Sequence, residues 1–227
     1  MTAMLASVTD PAEARLAAAA GVDLIDLKDP ARGALGALDE ERIRTIRRAL
    51  PHTTLSATIG DLPLHPETVF QAVERTAACS VDYVKIGLFP GGDLEGTLDA
   101  LAPLSAEHKL IAVLMADYLI ALPVLERIAA AGFRGAMLDT ADKSRGPLTR
   151  LRPQAFLARF VERAKSLGLL TGLAGSLRLE DIDALLPLAP DYLGFRGALC
   201  REGRTGTLDP RKLTQIRDRI RSGRRGG

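Results

Sequence analysis

Residues 17–27 read AAAAGVDLIDL. Four alanines favour a helix, a glycine supplies a residue able to end it in the left-handed region, and an apolar run follows that is too short for a second helix. The same join recurs as TAACSVDYVKI at 76–86, IAAAGFRGAML at 128–138 and AKSLGLLTGLA at 164–174. Each is the end of a crossover helix feeding a buried strand, and buried strands that alternate with helices predict a parallel sheet. Working outward from these joins gives eight short apolar runs, at 4–8, 23–27, 54–59, 82–86, 109–115, 135–138, 169–173 and 192–195. Amphipathic stretches lie between them at 11–20, 40–50, 66–78, 119–131, 153–167 and 209–220, with Pro11, Pro66 and Pro210 near helix starts, where a missing N–H costs nothing.

Eight units without a linker-like segment favour a closed (β/α)8 TIM barrel over a doubly wound sheet. A dinucleotide-binding sheet would carry a glycine-rich loop after its first strand, and here residues 7–13 read SVTDPAE. The expectation is one barrel over residues 1–220, followed by a disordered basic tail at 221–227.

The chain has 227 residues, 47% hydrophobic and 26% charged, enough for one continuous core and unlike disordered or fibrous sequences. Aromatic residues are 4% with no Trp, which argues against a stacking surface for single-stranded nucleic acid. The longest apolar stretch, 110–125, is interrupted by Asp117 and falls short of a membrane span. The first residues lack a basic leader and are broken by Asp10, Pro11, Glu13 and Arg15, so neither secretion nor membrane association is expected, and the cytoplasm is the expected compartment. Cys79 and Cys200 show no metal-like pairing and no structural disulfide is expected. Residues 201–227 carry a net charge of +6 within a chain of +2, either a basic rim near a phosphate or a solvated tail. Barrels often associate, so a homo-oligomer stays open.

Chemistry in this architecture sits at the C-terminal ends of the strands. The second strand reads DLIDLKDP, so by alternation Asp26 and Lys28 face the interior while Ile25 and Leu27 face the helices. The fourth, DYVKIG, places Tyr83 and Lys85 on the interior side, and Ser56 and Thr58 do the same on the third. The sixth ends MLDTADKSRG, with Asp139 at the strand end and Lys143 just beyond. A lone strand-end lysine reads as a snorkelling surface residue and a lone aspartate as a helix cap, but Lys28, Lys85 and Asp139 converge on one mouth. Neighbouring positive charge and desolvation both favour a neutral amine able to attack a carbonyl; a pairing of Asp26 with Lys28 would oppose this and favour an electrostatic role. The seventh and eighth strands end GLAGSL and GFRGALC, so Gly175, Ser176, Arg196, Gly197 and Ala198 are candidates to hold a substrate phosphate, with Arg201 and Arg204 on the same rim and ordinary turn chemistry as the alternative. His52, His65 and His108 fall in segments read as lying away from this face, without metal-ligand spacing; Cys200 has no nearby His; Asp117 joins the pocket's supporting residues.

The combination DLIDLKDPARGALGA, YVKIGL, ADY, MLDTADKSRGPL and GLAGSL resembles the (5-formylfuran-3-yl)methyl phosphate synthase family, from the first strand to about Leu213. The resemblance implies a TIM-type barrel joining two glyceraldehyde 3-phosphates into a phosphorylated furan aldehyde for a methanofuran-like coenzyme, without metal or organic cofactor. It also implies Lys28 as the Schiff-base lysine, Lys85 as a proton acceptor, and Asp139 and Lys143 as further site residues. Other readings are a class I aldolase, a sugar-phosphate epimerase-like barrel, and a non-catalytic phosphate sensor.

Overall fold

The computed structural model describes residues 1–223. Eight strands, β1 (Ala3–Val8), β2 (Leu24–Leu27), β3 (Leu55–Thr58), β4 (Tyr83–Leu88), β5 (Leu110–Met115), β6 (Gly135–Asp139), β7 (Leu170–Leu173) and β8 (Tyr192–Phe195), pair in chain order into a closed parallel barrel. Closure comes from β1 against β8, with Leu5 beside Gly194 and Ala6 beside Phe195. The (β/α)8 expectation therefore holds, and each strand lies within two residues of its predicted bounds.

Alternation divides the core in two. Ile25, Leu27, Val84, Ile86, Leu138 and Leu173 face outward and pack with helix residues such as Ile43, Val69, Phe160 and Leu213. Leu5, Ile111, Val113, Met115, Met137 and Tyr192 fill the barrel interior below the mouth. Burying both faces of every strand is why the strands read as continuous apolar runs.

The helices are α1 (Pro11–Ala19), α2 (Glu40–Ala49), α3 (Pro66–Ala77), α4 (Leu94–Ser105), α5 (Val124–Ala130), α6 (Leu148–Leu151), α7 (Gln154–Ser166), α8 (Ile182–Leu185) and α9 (Pro210–Ser222). Asp10, Asp39, Asp93 and Asp209 accept hydrogen bonds from first-turn amides of α1, α2, α4 and α9. α5 begins five residues later than the periodicity of 119–131 predicts. Pro123 has no N–H to give and its ring would clash with the carbonyl four residues back, so it stands at the helix's entry, and Tyr118 and Leu119 are left exposed ahead of it. Arg221 and Ser222, assigned to the tail from sequence, belong to α9, where Arg221 donates to the Gly21 carbonyl; residues 224–227 lie outside the described residues. No helix among the described residues is long and apolar enough to cross a membrane.

Candidate active site

The register of the first four strands assembles the deepest part of the site. Ser7 lies beside Asp26, Asp26 beside Ser56, and Thr58 beside Lys85, all on the interior side. The fully buried Asp26 carboxylate accepts from Ser7 Oγ at 3.0 Å, Ser56 Oγ at 2.7 Å and Lys85 Nζ at 2.9 Å. The open question of whether Asp26 neutralises Lys28 is thus decided by geometry: its direct ionic partner is Lys85. Lys28, just past the end of β2, donates to the Ala34 carbonyl at 3.4 Å and lies 3.7 Å from Asp139 Oδ2.

Across the mouth, Asp139 ends β6 and Lys143 follows in the 3-10 turn Lys143–Arg145. The Lys143 ammonium donates to the Asp139 carboxylate and to the carbonyl and hydroxyl of Thr140, which uses all three of its protons. The loop is shaped from below by Asp117, whose carboxylate accepts from the amides of Ala141 and Asp142.

Burial sets the protonation preferences. It pushes the Lys85 amine down, more than the Asp26 carboxylate pushes it back, and the Lys28 charge adds to the depression. Burial likewise lowers Lys143 against the opposing pull of Asp139. For Asp26 burial acts upward, but Lys85, Lys28 and the Ser56 hydroxyl outweigh it and hold the carboxyl below its ordinary value. Asp139 is held well below the carboxylate range, burial being overcome by Lys143 and Lys28. The site therefore keeps both carboxylates ionised while burial works against the ammonium form at Lys85 and Lys143.

The loops after β7 and β8 form the adjoining wall. Gly175 has φ +107°, and a Cβ there would stand 2.7 Å from Thr140 Cγ2, so only glycine lets this loop approach the one after β6. Ser176 takes a left-handed φ of +49°, a cost tolerated where a backbone is aimed at something. The amides of Gly175, Ser176, Gly197 and Ala198 donate to no protein acceptor among the described residues. These loops line, together with Asp26, Lys28, Lys85, Asp139, Lys143 and further charged residues, one cavity of about 580 Å³, a volume suited to small metabolites. No three His, Cys, Asp or Glu side chains among the described residues are grouped to hold a metal ion.

Comparison with known proteins fits this arrangement. Residues 4–217 match the 4-HFC-P synthase family. The chain belongs to that family. It is 44% identical over 224 residues, 98% of this chain and 93% of the other, to a protein of Methylorubrum extorquens provisionally named (5-formylfuran-3-yl)methyl phosphate synthase. It is 34% identical over 230 residues, 95% of this chain and 98% of the other, to the (5-formylfuran-3-yl)methyl phosphate synthase of Methanocaldococcus jannaschii. Among solved structures, phosphoribosyl anthranilate isomerase from Thermus thermophilus superposes with a TM-score of 0.69 at 19% identity, covering 98% of this chain and 99% of that one. A 3-keto-L-gulonate-6-phosphate decarboxylase from Vibrio cholerae does so with a TM-score of 0.68 at 12% identity, covering 97% and 98%. These two likenesses speak for the fold alone.

In this 4-HFC-P synthase family member, all ten candidate residues from the sequence line the cavity, but Arg196 does so without a free donor. Its guanidinium donates twice to Glu13, and to the carbonyls of Ser7, Arg204 and Gly206, which occupies every N–H it has. The guanidinium is thus spent on the protein, where it fastens the loop after β8 to the N-terminus of α1. Glu13 also accepts from Thr9 and from the Leu208 amide. An acid in the first turn of α1 reads as a helix-end charge, and nothing local signals a partner 183 residues away.

Three lesser expectations change as well. Asp117 supports the β6 loop instead of lining the cavity, and Arg201 pairs with Asp209 on the exterior. His65 lies between β3 and α3, at the cavity's end of the barrel, although it is exposed and does not line the cavity. Cys200, which lacks a nearby His in sequence, is buried with its thiol donating to the Arg196 carbonyl, and burial pushes that thiol up, in keeping with the reading against a nucleophile. Ser7 was legible from its parity with Leu5 on β1, since residues two apart share a face.

Proposed function

We propose that the protein condenses two molecules of glyceraldehyde 3-phosphate, through a Schiff base on Lys28, into (5-formylfuran-3-yl)methyl phosphate in the cytoplasm, supplying a methanofuran-like one-carbon carrier. The family supports a synthase role. The observation that carries the mechanism is the unequal holding of three lysines around one cavity. Lys143 spends all three protons on Asp139 and Thr140, Lys85 is locked at 2.9 Å to Asp26, and Lys28 has only a 3.4 Å hydrogen bond and a 3.7 Å ionic neighbour. Turning Lys28 toward a substrate carbonyl breaks the least, which favours it as the nucleophile.

Attack by the Lys28 amine on the aldehyde and loss of water would leave an iminium beside the Asp139 carboxylate, which stabilises that charge. Burial eases Lys85 toward its neutral form, so Lys85 can take the proton alpha to the iminium carbon and leave an enamine, with Asp26 compensating the ammonium formed. Aldol joining to the second triose, loss of one phosphate, ring closure and dehydration complete the sequence. Two triose phosphates less one phosphoric acid and two waters equal the furan product, so no oxidant or reductant is required. The amides of Gly175, Ser176, Gly197 and Ala198 suit a phosphate, a dianion that small residues let approach the backbone.

Purified protein incubated with glyceraldehyde 3-phosphate, with and without borohydride, tests this reading. A growing near-ultraviolet furan-aldehyde absorbance together with a triose adduct mapped to Lys28 is expected. Folded protein that yields neither chromophore nor adduct would sink the proposal; an adduct on Lys85 would exchange the two lysines' roles.

A further inference from the structure

Two phosphorylated trioses bring two phosphate dianions into one cavity, and the four loop amides suit one of them. The remaining cations of the cavity are not equally available to the other. Arg196 is saturated by Glu13 and three carbonyls, Lys85 and Lys143 each hold a carboxylate, and Arg178 is exposed beside Glu180 at 3.7 Å. Lys212 and Arg204 have no carboxylate partner among the described residues; Lys212 donates one of its three N–H groups to the Cys200 carbonyl at 2.6 Å, and Arg204 keeps the larger set of donors. Its Nη2 donates to the Gly33 carbonyl at 2.8 Å, and among the described residues no carboxylate lies within ion-pair distance of its guanidinium. It is half-buried and lines the cavity. Four N–H groups of a partly desolvated cation are left for something that the protein does not supply, and a guanidinium in that condition is a site for an oxyanion.

Its position narrows the choice. Arg204 and Lys28 are fastened to consecutive carbonyls of one loop, Gly33 and Ala34. The Arg204 charge is felt by Asp139 and Lys143, the groups facing Lys28 across the mouth, and by Asp61 and Asp29, with none of the three carboxylates within ion-pair distance. The clamp through Arg196 grips the Arg204 carbonyl at 2.8 Å, so the backbone carrying the guanidinium is anchored to β1 and α1 and not merely suspended in a surface loop. The geometry points to Arg204 as the anchor for the phosphate of the triose that becomes bound to Lys28, leaving the Gly175, Ser176, Gly197 and Ala198 amides to the phosphate of the second triose. Division of the two phosphates between a guanidinium and an amide cradle would tell the enzyme which molecule is the electrophile at Lys28 and which is the aldol acceptor. This inference rests on the Schiff-base reading above.

The test is borohydride trapping at Lys28, quantified by intact mass and peptide mapping, in the wild type, Arg204→Gln and Arg204→Lys, each first shown to be folded by circular dichroism. Two probes are compared: glyceraldehyde 3-phosphate and unphosphorylated glyceraldehyde. In the wild type the phosphorylated probe should saturate at much the lower concentration. Arg204→Gln should raise that concentration by about 30-fold, the loss expected for charge-assisted hydrogen bonds, while leaving glyceraldehyde within about twofold. Arg204→Lys should recover part of the difference, because it restores the charge without the fork. Inorganic phosphate should compete with the phosphorylated probe in the wild type and less in Arg204→Gln. A variant that keeps the full preference for the phosphorylated probe, or loses both probes equally, overturns the assignment of Arg204 alone. A wild type that traps neither probe overturns the Schiff-base reading and this inference with it.

Discussion

Lys85 on β4 and Asp26 on β2 form an ion pair at 2.9 Å across the intervening strand β3, with both side chains almost wholly out of contact with solvent. Ser7 and Ser56 complete the carboxylate's hydrogen bonds from the strands on either side, so the pair is a satisfied unit at the floor of the cavity. Such a unit adds little net stability, yet breaking it is costly.

Lys85→Met should therefore destabilise the protein by about 3 kcal/mol, because it strands a buried carboxylate. Adding Asp26→Asn to it should recover much of that loss. Urea unfolding of the two single variants and the double variant gives the coupling; additive losses would contradict the pair's isolation from solvent.

Lys28→Ala should leave stability within about 1 kcal/mol, since its amine makes only one long hydrogen bond and one distant ionic contact. It should nevertheless abolish the borohydride adduct and reduce furan formation by roughly a thousandfold or more. Intact mass after trapping and absorbance kinetics decide it; an undiminished adduct would assign the nucleophile elsewhere.

Arg196→Met removes the sole cation paired with the buried Glu13 among the described residues and should cost about 3 kcal/mol, whereas Arg204→Gln should cost less than about 1. In the Arg196 variant, inorganic phosphate should still raise the melting temperature, by less than in the wild type, because the loop after β8 has lost its clamp while its amides remain. A lost phosphate response, with the loop after β8 shown to be intact by hydrogen exchange, would return Arg196 to the binding site.

Gly175→Ala places a Cβ 2.7 Å from Thr140 Cγ2 at a φ of +107°. The expected cost is about 2 kcal/mol, accompanied by weaker inorganic phosphate binding in a calorimetric titration, because the β7 loop must withdraw from the β6 loop. Unchanged phosphate affinity would remove this loop from the cradle.

Asp26 and Asp139 are both held below their ordinary values in the folded chain. A depressed carboxyl contributes stability that is present above its unfolded value, near about 4, and is lost as the pH falls through the folded value. Urea midpoints should consequently decline from about pH 4 downward, and Asp139→Asn should flatten that slope. A midpoint independent of pH down to about 3 would show that neither carboxylate is so held.

The barrel was legible because its signals are local. Helix ends such as Gly21, Gly132 and Gly168, followed by apolar runs, appear within a dozen residues, and alternation alone turned Asp26, Lys28 and Lys85 inward. Proximity of these side chains also followed, since eight strand ends must meet at one mouth. What alternation could not decide is who pairs with whom. Register between neighbouring strands brought Lys85 to Asp26, and the path of residues 29–38 drew Lys28 to the Ala34 carbonyl. Arg196 and Glu13, far apart in the chain, became a clamp only when barrel closure brought β8 beside β1. Sequence thus determined the fold and the inventory of charges at its mouth, through hydrophobic period and turn chemistry that act over a few residues. Tertiary structure decided which charges are spent on one another and which are left for a substrate, because ion pairing depends on distances of a few ångströms that only the closed barrel sets.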